Sequence, residues 1–513
     1  MEVFGLLDVP LWLLMLIGVL TLYSTYMSWH HGIFKKLGID GPPPRPIVGN
    51  LMTILKSGMH GADLYWCQTY GKVVGIFMTR LPMLLISDDE MMKQIMVKDF
   101  NLFPNRQEIP KAMVGFPMDQ SLVFSKDDHW RFIRNFMTPT FSAGKLKRMM
   151  PVINRMSDRL VDLLTERAEN KEEVEIKKFL EKYTMDVIAG TAFGMDVNAL
   201  NNEDDPFVKN AKTILSNGLN SAYIVFITFF PFLIPLTSLL GYHLFPESNM
   251  NFFVKVTNKI LEERKIDPSS SKYTDFIQLM VNADEEKRQT MQQNGGDTSS
   301  SNGQPAGLTR DEISAAALLF FIAGYDTTAS TMSFCVYNIA THPEVQERLV
   351  AEIETVLGDQ EPDYDSIQKL EYLEMCLSET LRLHPASVRV DRTCTKDMEV
   401  KGVKIPKGMT VGIPIYAIHH DSDRWDRPEE YDPERFSAEN RSKHGPFDYL
   451  PFGNGPRNCI GMRLALVEAK ITLIKLFKNF KFSSSSKTQI PLTFMLSALL
   501  RPAQGLWIRI EKR

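Results

Sequence analysis

The chain has 513 residues, more than a domain of about 150 residues uses, although single large folds reach this size. With 23% charged and 44% hydrophobic residues it is not a disordered chain, and 58 basic against 62 acidic residues leave a net charge of −4, too little for a global basic field that would hold nucleic acid. Five scattered cysteines without a C-x-x-C spacing exclude a secreted disulfide scaffold, a zinc ribbon, a thioredoxin-type pair and a c-type haem attachment, and point to a reduced, intracellular setting.

Val9–Trp29 carries no formal charge and is long enough to cross a bilayer as one helix. Glu2 and Asp8 precede it, while Lys35, Lys36 and Arg45 follow, so the positive-inside rule puts the C-terminal side in the cytosol. An acidic start argues against a cleaved signal peptide, and the first arginine, Arg45, comes too late for a mitochondrial transit peptide. Gly41-Pro-Pro-Pro-Arg-Pro46 favours a stiff extended spacer between the span and the body.

Val73–Thr79 and Met83–Ser87, around Arg80-Leu81-Pro82, read as a β-hairpin. From Asp88 to about Asn282 the pattern is mostly helical, as in Met150–Leu164. Ala222–Leu240 is exceptionally apolar but broken by Pro231 and Pro235; it reads either as buried core or as a loop dipping into a membrane. Asn294–Gly307 is a polar linker, after which Thr309-Arg-Asp-Glu312 is a capping box opening a helix that runs to Ala340. At about 45 Å, such a helix crosses the core. Met398–Ile405 and Met409–Ile418 return to β-type patterns.

The chemistry concentrates at Phe452-Gly-Asn-Gly-Pro-Arg-Asn-Cys-Ile-Gly461, which runs into a helical pattern. It is not a phosphate loop, since no Gly-Lys-Ser/Thr follows. A cysteine at a helix N-terminus beside Arg457 holds a stabilised thiolate, suited to a nucleophile or a metal ligand; a buried inert thiol is the plain alternative. In the long helix, Ala323-Gly-Tyr-Asp-Thr-Thr328 places Asp326 in apolar surroundings, where it needs a partner. Glu379 and Arg382 are an i,i+3 pair, and Trp130 stands four residues before Arg134.

The cysteine stretch, F-x-x-G-x-R-x-C-x-G, resembles the haem-binding signature of the cytochrome P450 family, and much of the chain is similar to the microsomal family 3 members. The resemblance implies a mainly α fold with a smaller β region, preceded by one N-terminal transmembrane helix. Residues 1–30 are then the anchor, 31–50 a basic, proline-rich linker and 51–513 the haem-binding catalytic domain. It also implies haem b, with Cys459 as axial ligand to iron and Trp130, Arg134, Ala323, Gly324, Arg392, Phe452, Arg457 and Gly461 around the cofactor. Asp326 and Thr327 would deliver protons in catalysis, while Glu379, Arg382 and Arg435 would form a structural network bracing the cysteine loop. Pocket walls are expected from 103–124, 222–240, 320–327, 386–390 and 498–500, with Val123, Phe320, Ile322, Ala323, Ala386, Ser387, Val388 and Leu499 facing the substrate. The implied activity is NADPH- and O₂-dependent hydroxylation of steroids and foreign compounds. Electrons would come from NADPH-cytochrome P450 reductase, docking near Lys145, Lys147 and Arg148, with cytochrome b5 as an auxiliary donor. The implied location is the endoplasmic-reticulum membrane, with the body facing the cytosol. Two alternatives are a haem-thiolate isomerase acting on peroxides and a membrane-tethered haem protein without turnover; the intact Asp326–Thr327 pair argues against both. The sequence departs from family 3 in the acid at Asp326, commonly Glu, in His384-Pro-Ala-Ser-Val388, and in a longer Asn105–Phe124 loop.

Overall fold

The capping box at Thr309 and Glu312 forms as the sequence predicts: the Glu312 amide donates to Thr309 Oγ1 (3.2 Å) and the Thr309 amide to Glu312 Oε2 (2.7 Å). It opens the helix Arg310–Ala340, which Thr341 and Pro343 end. This helix is apolar enough to span a membrane, yet most of it is buried, because helices 176–188, 247–266, 371–383 and 462–479 surround it. The computed structural model describes residues 2–3, 7–8, 10–202, 204–217, 222–266, 274–283 and 307–513; nearly all of the predicted linker at 294–307 lies outside them.

The second helix that meets the same length and composition criterion begins at Leu11. Within Leu11–Ser28 only Met27 is buried. Opposite surroundings thus separate two strongly apolar helices: one is wrapped by the protein, the other offers its side chains outward. The following segment is not a free spacer. Phe34 packs against Phe77 at 5.0 Å, and a Cβ on Gly75 would come within 2.3 Å of the Phe34 ring, so the linker is docked on the sheet. The Gly75 amide donates to Asp40 O (2.9 Å) and the Asn50 amide to Phe77 O (2.9 Å).

The larger sheet orders its strands Val73–Met78, Leu81–Ile86, Thr410–Ile413 and Val390–Thr393, with Leu81–Ile86 and Thr410–Ile413 parallel. The predicted hairpin is present with a tighter turn: Thr79 takes a left-handed conformation, and Leu81 and Pro82 join the strand opposite Met78 and Phe77. The expected strand 409–418 stops at Ile413 because Pro414 has no amide to continue the ladder; Ile415–His419 is a short helix instead. A second sheet pairs Trp507–Lys512 with both Phe480–Ser484 and Glu173–Glu175.

Ala222–Leu240 is neither core nor a simple span. It folds as helix Ala222–Phe229, a turn at Pro231–Leu233 and helix Ile234–Leu239, with Val225, Phe226, Phe232, Leu236, Leu239 and Leu240 exposed. Its neighbour is the N-terminal helix: Tyr23 Oη donates to Phe229 O (2.8 Å), Tyr23 stacks on Phe230 and Tyr26 meets Phe232 edge-on.

Candidate active site

The cysteine loop is shaped by two left-handed glycines, Gly453 and Gly455. At Gly455 no other residue fits, since a Cβ would lie 1.9 Å from the backbone oxygen of Met96. The Cys459 amide donates to Phe452 O (2.9 Å), closing the loop just before the helix Met462–Asn479. Cys459 sits deep in the protein, but its thiol is exposed to an internal cavity. Burial pushes this thiol up, against the amides of Gly461 and Met462 and the charges of Arg134 and Arg106, which pull it down. Metal coordination removes such a proton outright.

Phe452, Cys459, Gly461, Ala323, Gly324, Trp130, Arg134, Arg392 and Arg457 all line this one cavity. Four guanidiniums meet there, because Arg106 joins the three expected from sequence. Arg134 donates to Asn458 through Nη1 to the backbone oxygen (2.9 Å) and Nη2 to Oδ1 (2.8 Å). Arg457 donates to Ser125 O (2.9 Å) and lies 4.3 Å over the Trp130 ring. Nε of Arg392 and of Arg457 has no protein partner. Burial, with repulsion from Arg106, lowers Arg392 to about 10, and burial with repulsion from Arg106 and Arg392 lowers Arg457 to about 9. Such a concentration of buried positive charge calls for anionic partners. Two carboxylates on a flat, largely apolar body answer that need, and a haem carries both propionates on one edge. The donor set fits haem: a thiol on one wall, cations at one end, and Leu122, Val123, Ile188, Phe276, Leu319 and Phe320 elsewhere.

A family model described as cytochrome P450 matches residues 39–509. The chain is a cytochrome P450. It is similar over its full length to cytochrome P450 3A41 of Mus musculus, at 42% identity covering 99% of that protein, and to cytochrome P450 3A5 of Homo sapiens, at 40% over the same share. Cytochrome P450 3A29 of Sus scrofa is 39% identical over 98% of this chain and 96% of its own. As a member of this family the P450 is a haem-thiolate monooxygenase using haem b, and it takes electrons from a redox partner and acts on apolar substrates.

The P450's central helix explains which expected residues reach the cavity. Phe320, Ala323, Gly324, Thr327, Thr328 and Thr331 line it at the spacing of one helical face. Ile322 and Asp326, four residues apart, lie off that face and do not line the cavity. Thr327 Oγ1 donates to Ala323 O (2.6 Å). Asp326 is instead clamped between Lys177 Nζ (2.8 Å) and Arg501 Nε (2.9 Å). Burial alone would push its carboxyl up; the charges of Lys177 and Arg501 outweigh burial and hold it below the usual carboxylate range. Gly324 is set by packing as well: a Cβ would meet Ile188 Cδ1 at 2.9 Å.

Val123, Ala386 and Ser387 line the cavity, while two other expected wall residues do not. Val388 is buried with Tyr416 and Leu500, and Leu499 pairs through its backbone with Ser387. No described residue of 222–240 lines it either, since that segment packs against the N-terminal helix. Thr191, Phe141 and Phe276 are wall residues that the sequence reading missed.

Glu379 accepts from Arg382 Nε (2.7 Å) and Nη2 (2.8 Å), from Arg435 Nε (3.3 Å) and from the Asp432 amide (3.0 Å). The Glu379 and Arg382 side chains are fully buried. The link to the cysteine loop runs through His419, which sequence reasoning overlooked. Its Nε2 accepts from the Leu450 amide (2.8 Å), so Nδ1 carries the proton and donates to Arg382 O (3.0 Å). Leu450 O in turn accepts from the Gly453 amide (3.0 Å). Only the His-His pair in Ile415-Tyr-Ala-Ile-His-His420 could have signalled it.

Proposed function

We propose that the P450 performs NADPH- and O₂-dependent hydroxylation of large apolar molecules, steroids and foreign compounds among them. The cavity supports this: aromatic and aliphatic side chains, including Phe141, Ile188, Phe276 and Phe320, continue from the cysteine and arginine girdle with few polar groups. When bound, the haem supplies thiolate-assisted cleavage of the O–O bond. Cys459 would ligate the iron, and Arg106, Arg134, Arg392 and Arg457, with Trp130, would hold the propionates. Thr327, on the cavity face of the central helix, would hold and pass protons at its Oγ1. Asp326 would act one step behind it as a positioning residue, its two ion pairs fixing helix 310–340 against helix 176–188 and the C-terminal loop.

Electrons would come from NADPH-cytochrome P450 reductase, with cytochrome b5 as an auxiliary donor. Of the suggested docking charges, Lys147 is held by Asp365 (2.9 Å), which leaves Lys145 and Arg148 for that role. The exposed N-terminal helix and the apolar patch beside it support an endoplasmic-reticulum anchor at 1–30, with 31–513 on the cytosolic side.

The test is product formation from a panel of steroids and bulky apolar drugs, using purified full-length protein with reductase, NADPH and O₂. A reduced carbon monoxide spectrum first checks thiolate ligation. Many oxidised products are expected. Turnover of a peroxide without NADPH, and none with it, would replace hydroxylation by isomerisation.

A further inference from the structure

The helix that follows the cysteine loop lines the cavity with Leu464, Ala465, Leu466, Glu468 and Ala469. Glu468 carries the one carboxyl group among the described residues that line the cavity. It is 2% exposed, and its Oε1 has no protein hydrogen-bond partner. From helix Ile176–Ile188 the titratable group facing it is Tyr183, whose hydroxyl accepts from Ser157 Oγ (3.1 Å) and Thr472 Oγ1 (2.7 Å). The central helix contributes uncharged Thr328 and Thr331 to the cavity. The other charged or titratable groups of the cavity are Cys459 and the four arginines, and none is bonded to Glu468. Burial pushes the Glu468 carboxyl up to about 8, so at neutral pH it is an uncharged acid.

We propose that Glu468 is the proton-binding group of the cofactor pocket, neutral at pH 7 and taking up a proton when the pocket gains an electron at alkaline pH. The inference rests on the haem-thiolate assignment of the cavity. The step would balance with haem bound: the electron would come from the redox partner, and the Glu468 carboxylate would gain one O–H bond as water or a buffer acid gives up one proton. The sign follows from charge. An added electron raises the carboxylate's affinity for a proton, so the reduction potential is flat below the carboxyl's oxidised-state titration and falls above it. Glu468 thereby spares the arriving electron a negative charge on the pocket wall at neutral pH.

The experiment is a dye-mediated dithionite titration of the full-length holoprotein between about pH 6 and about pH 9.5, comparing the unaltered protein with Glu468→Gln. The unaltered protein is expected to show a flat potential at acidic and neutral pH and then, at alkaline pH, a fall of up to about 59 mV per tenfold change in proton concentration. Glu468→Gln is expected to lose that fall. A flat profile in the unaltered protein overturns the proposal. So does an equal slope in Glu468→Gln, which would assign the proton to Arg457, Arg392 or a propionate. If Glu468→Gln does not fold, proton uptake on reduction of the unaltered protein in weakly buffered indicator dye decides: uptake at alkaline pH supports the proposal and none overturns it. A reduced carbon monoxide spectrum separates the two assignments. A normal thiolate band without the slope overturns Glu468 alone, whereas a missing band in the unaltered protein overturns the haem-thiolate assignment with it.

Discussion

Glu379→Gln removes one charge from a site that admits no water, since the Glu379 and Arg382 side chains are both fully buried. The amide keeps one oxygen for Arg382, but its NH₂ group then faces donors: Arg382, Arg435 Nε or the Asp432 amide. The guanidinium of Arg382 is left without its counter-charge, although His419 O and Pro428 O still accept from it at 2.8 Å each. Breaking a buried pair by removing one partner costs about 3–5 kcal/mol, a factor of roughly 10² to 10³ or more in the folded population. The damage has a direction. Arg382 O, His419 and Leu450 form a continuous path to the cysteine loop, so the thiolate environment loosens before the helices melt. In a urea titration followed by haem-thiolate absorption and far-ultraviolet circular dichroism, both midpoints should fall, the absorption midpoint further. An absorption midpoint shifted by less than the equivalent of about 1 kcal/mol would refute the reasoning, because that is the effect of an exposed ion pair.

Gly455→Ala should abolish the thiolate absorption while leaving helix content largely intact, because the methyl group collides with a backbone oxygen that cannot rotate away; the reduced carbon monoxide spectrum reads this directly. Thr327→Ala should raise hydrogen peroxide release relative to product, and an unchanged ratio would remove the threonine from proton handling. His420 is buried and stacked on Tyr416 at 3.9 Å, and burial lowers it to about 3. Its folded state stays neutral while the unfolded chain binds a proton below about pH 6.5, so stability is lost as pH falls from about 6.5 towards 3, approaching ~5 kcal/mol at the lower limit. Thermal unfolding of His420→Phe should therefore fall less steeply with acid than that of the unaltered protein.

What was readable in the sequence was local. The capping box lies within four residues, and the cysteine loop, Glu379/Arg382 and Trp130/Arg134 each put their residues within one turn or one loop. Partners that the fold assembles from afar left no such mark. Lys177 and Arg501 stand 149 and 175 residues from Asp326, and neither position carries a pattern that would match it to a buried acid. Arg106 sits in an unpatterned loop that the fold holds at the cavity from afar: the Thr393 amide donates to Asn105 O at 2.8 Å and the Gln107 amide to Asp391 Oδ2. Hydropathy could not separate the helix that is wrapped from the helix that is bare, since the difference is made by neighbours and not by composition.

The small sheet that joins Glu173–Glu175 to Trp507–Lys512 sets a timetable for biosynthesis. A ribosome releases the chain from its N-terminus, so the strand leading into helix Ile176–Ile188 waits for a partner that follows it by more than 300 residues, Glu175 and Leu506 being 331 apart. Arg501, one half of the clamp on Asp326, arrives just as late. The clamp on Asp326 and the second sheet are thus completed only after Cys459 and the central helix have emerged, and a nascent chain arrested before Arg501 would carry both yet lack the strand Trp507–Lys512.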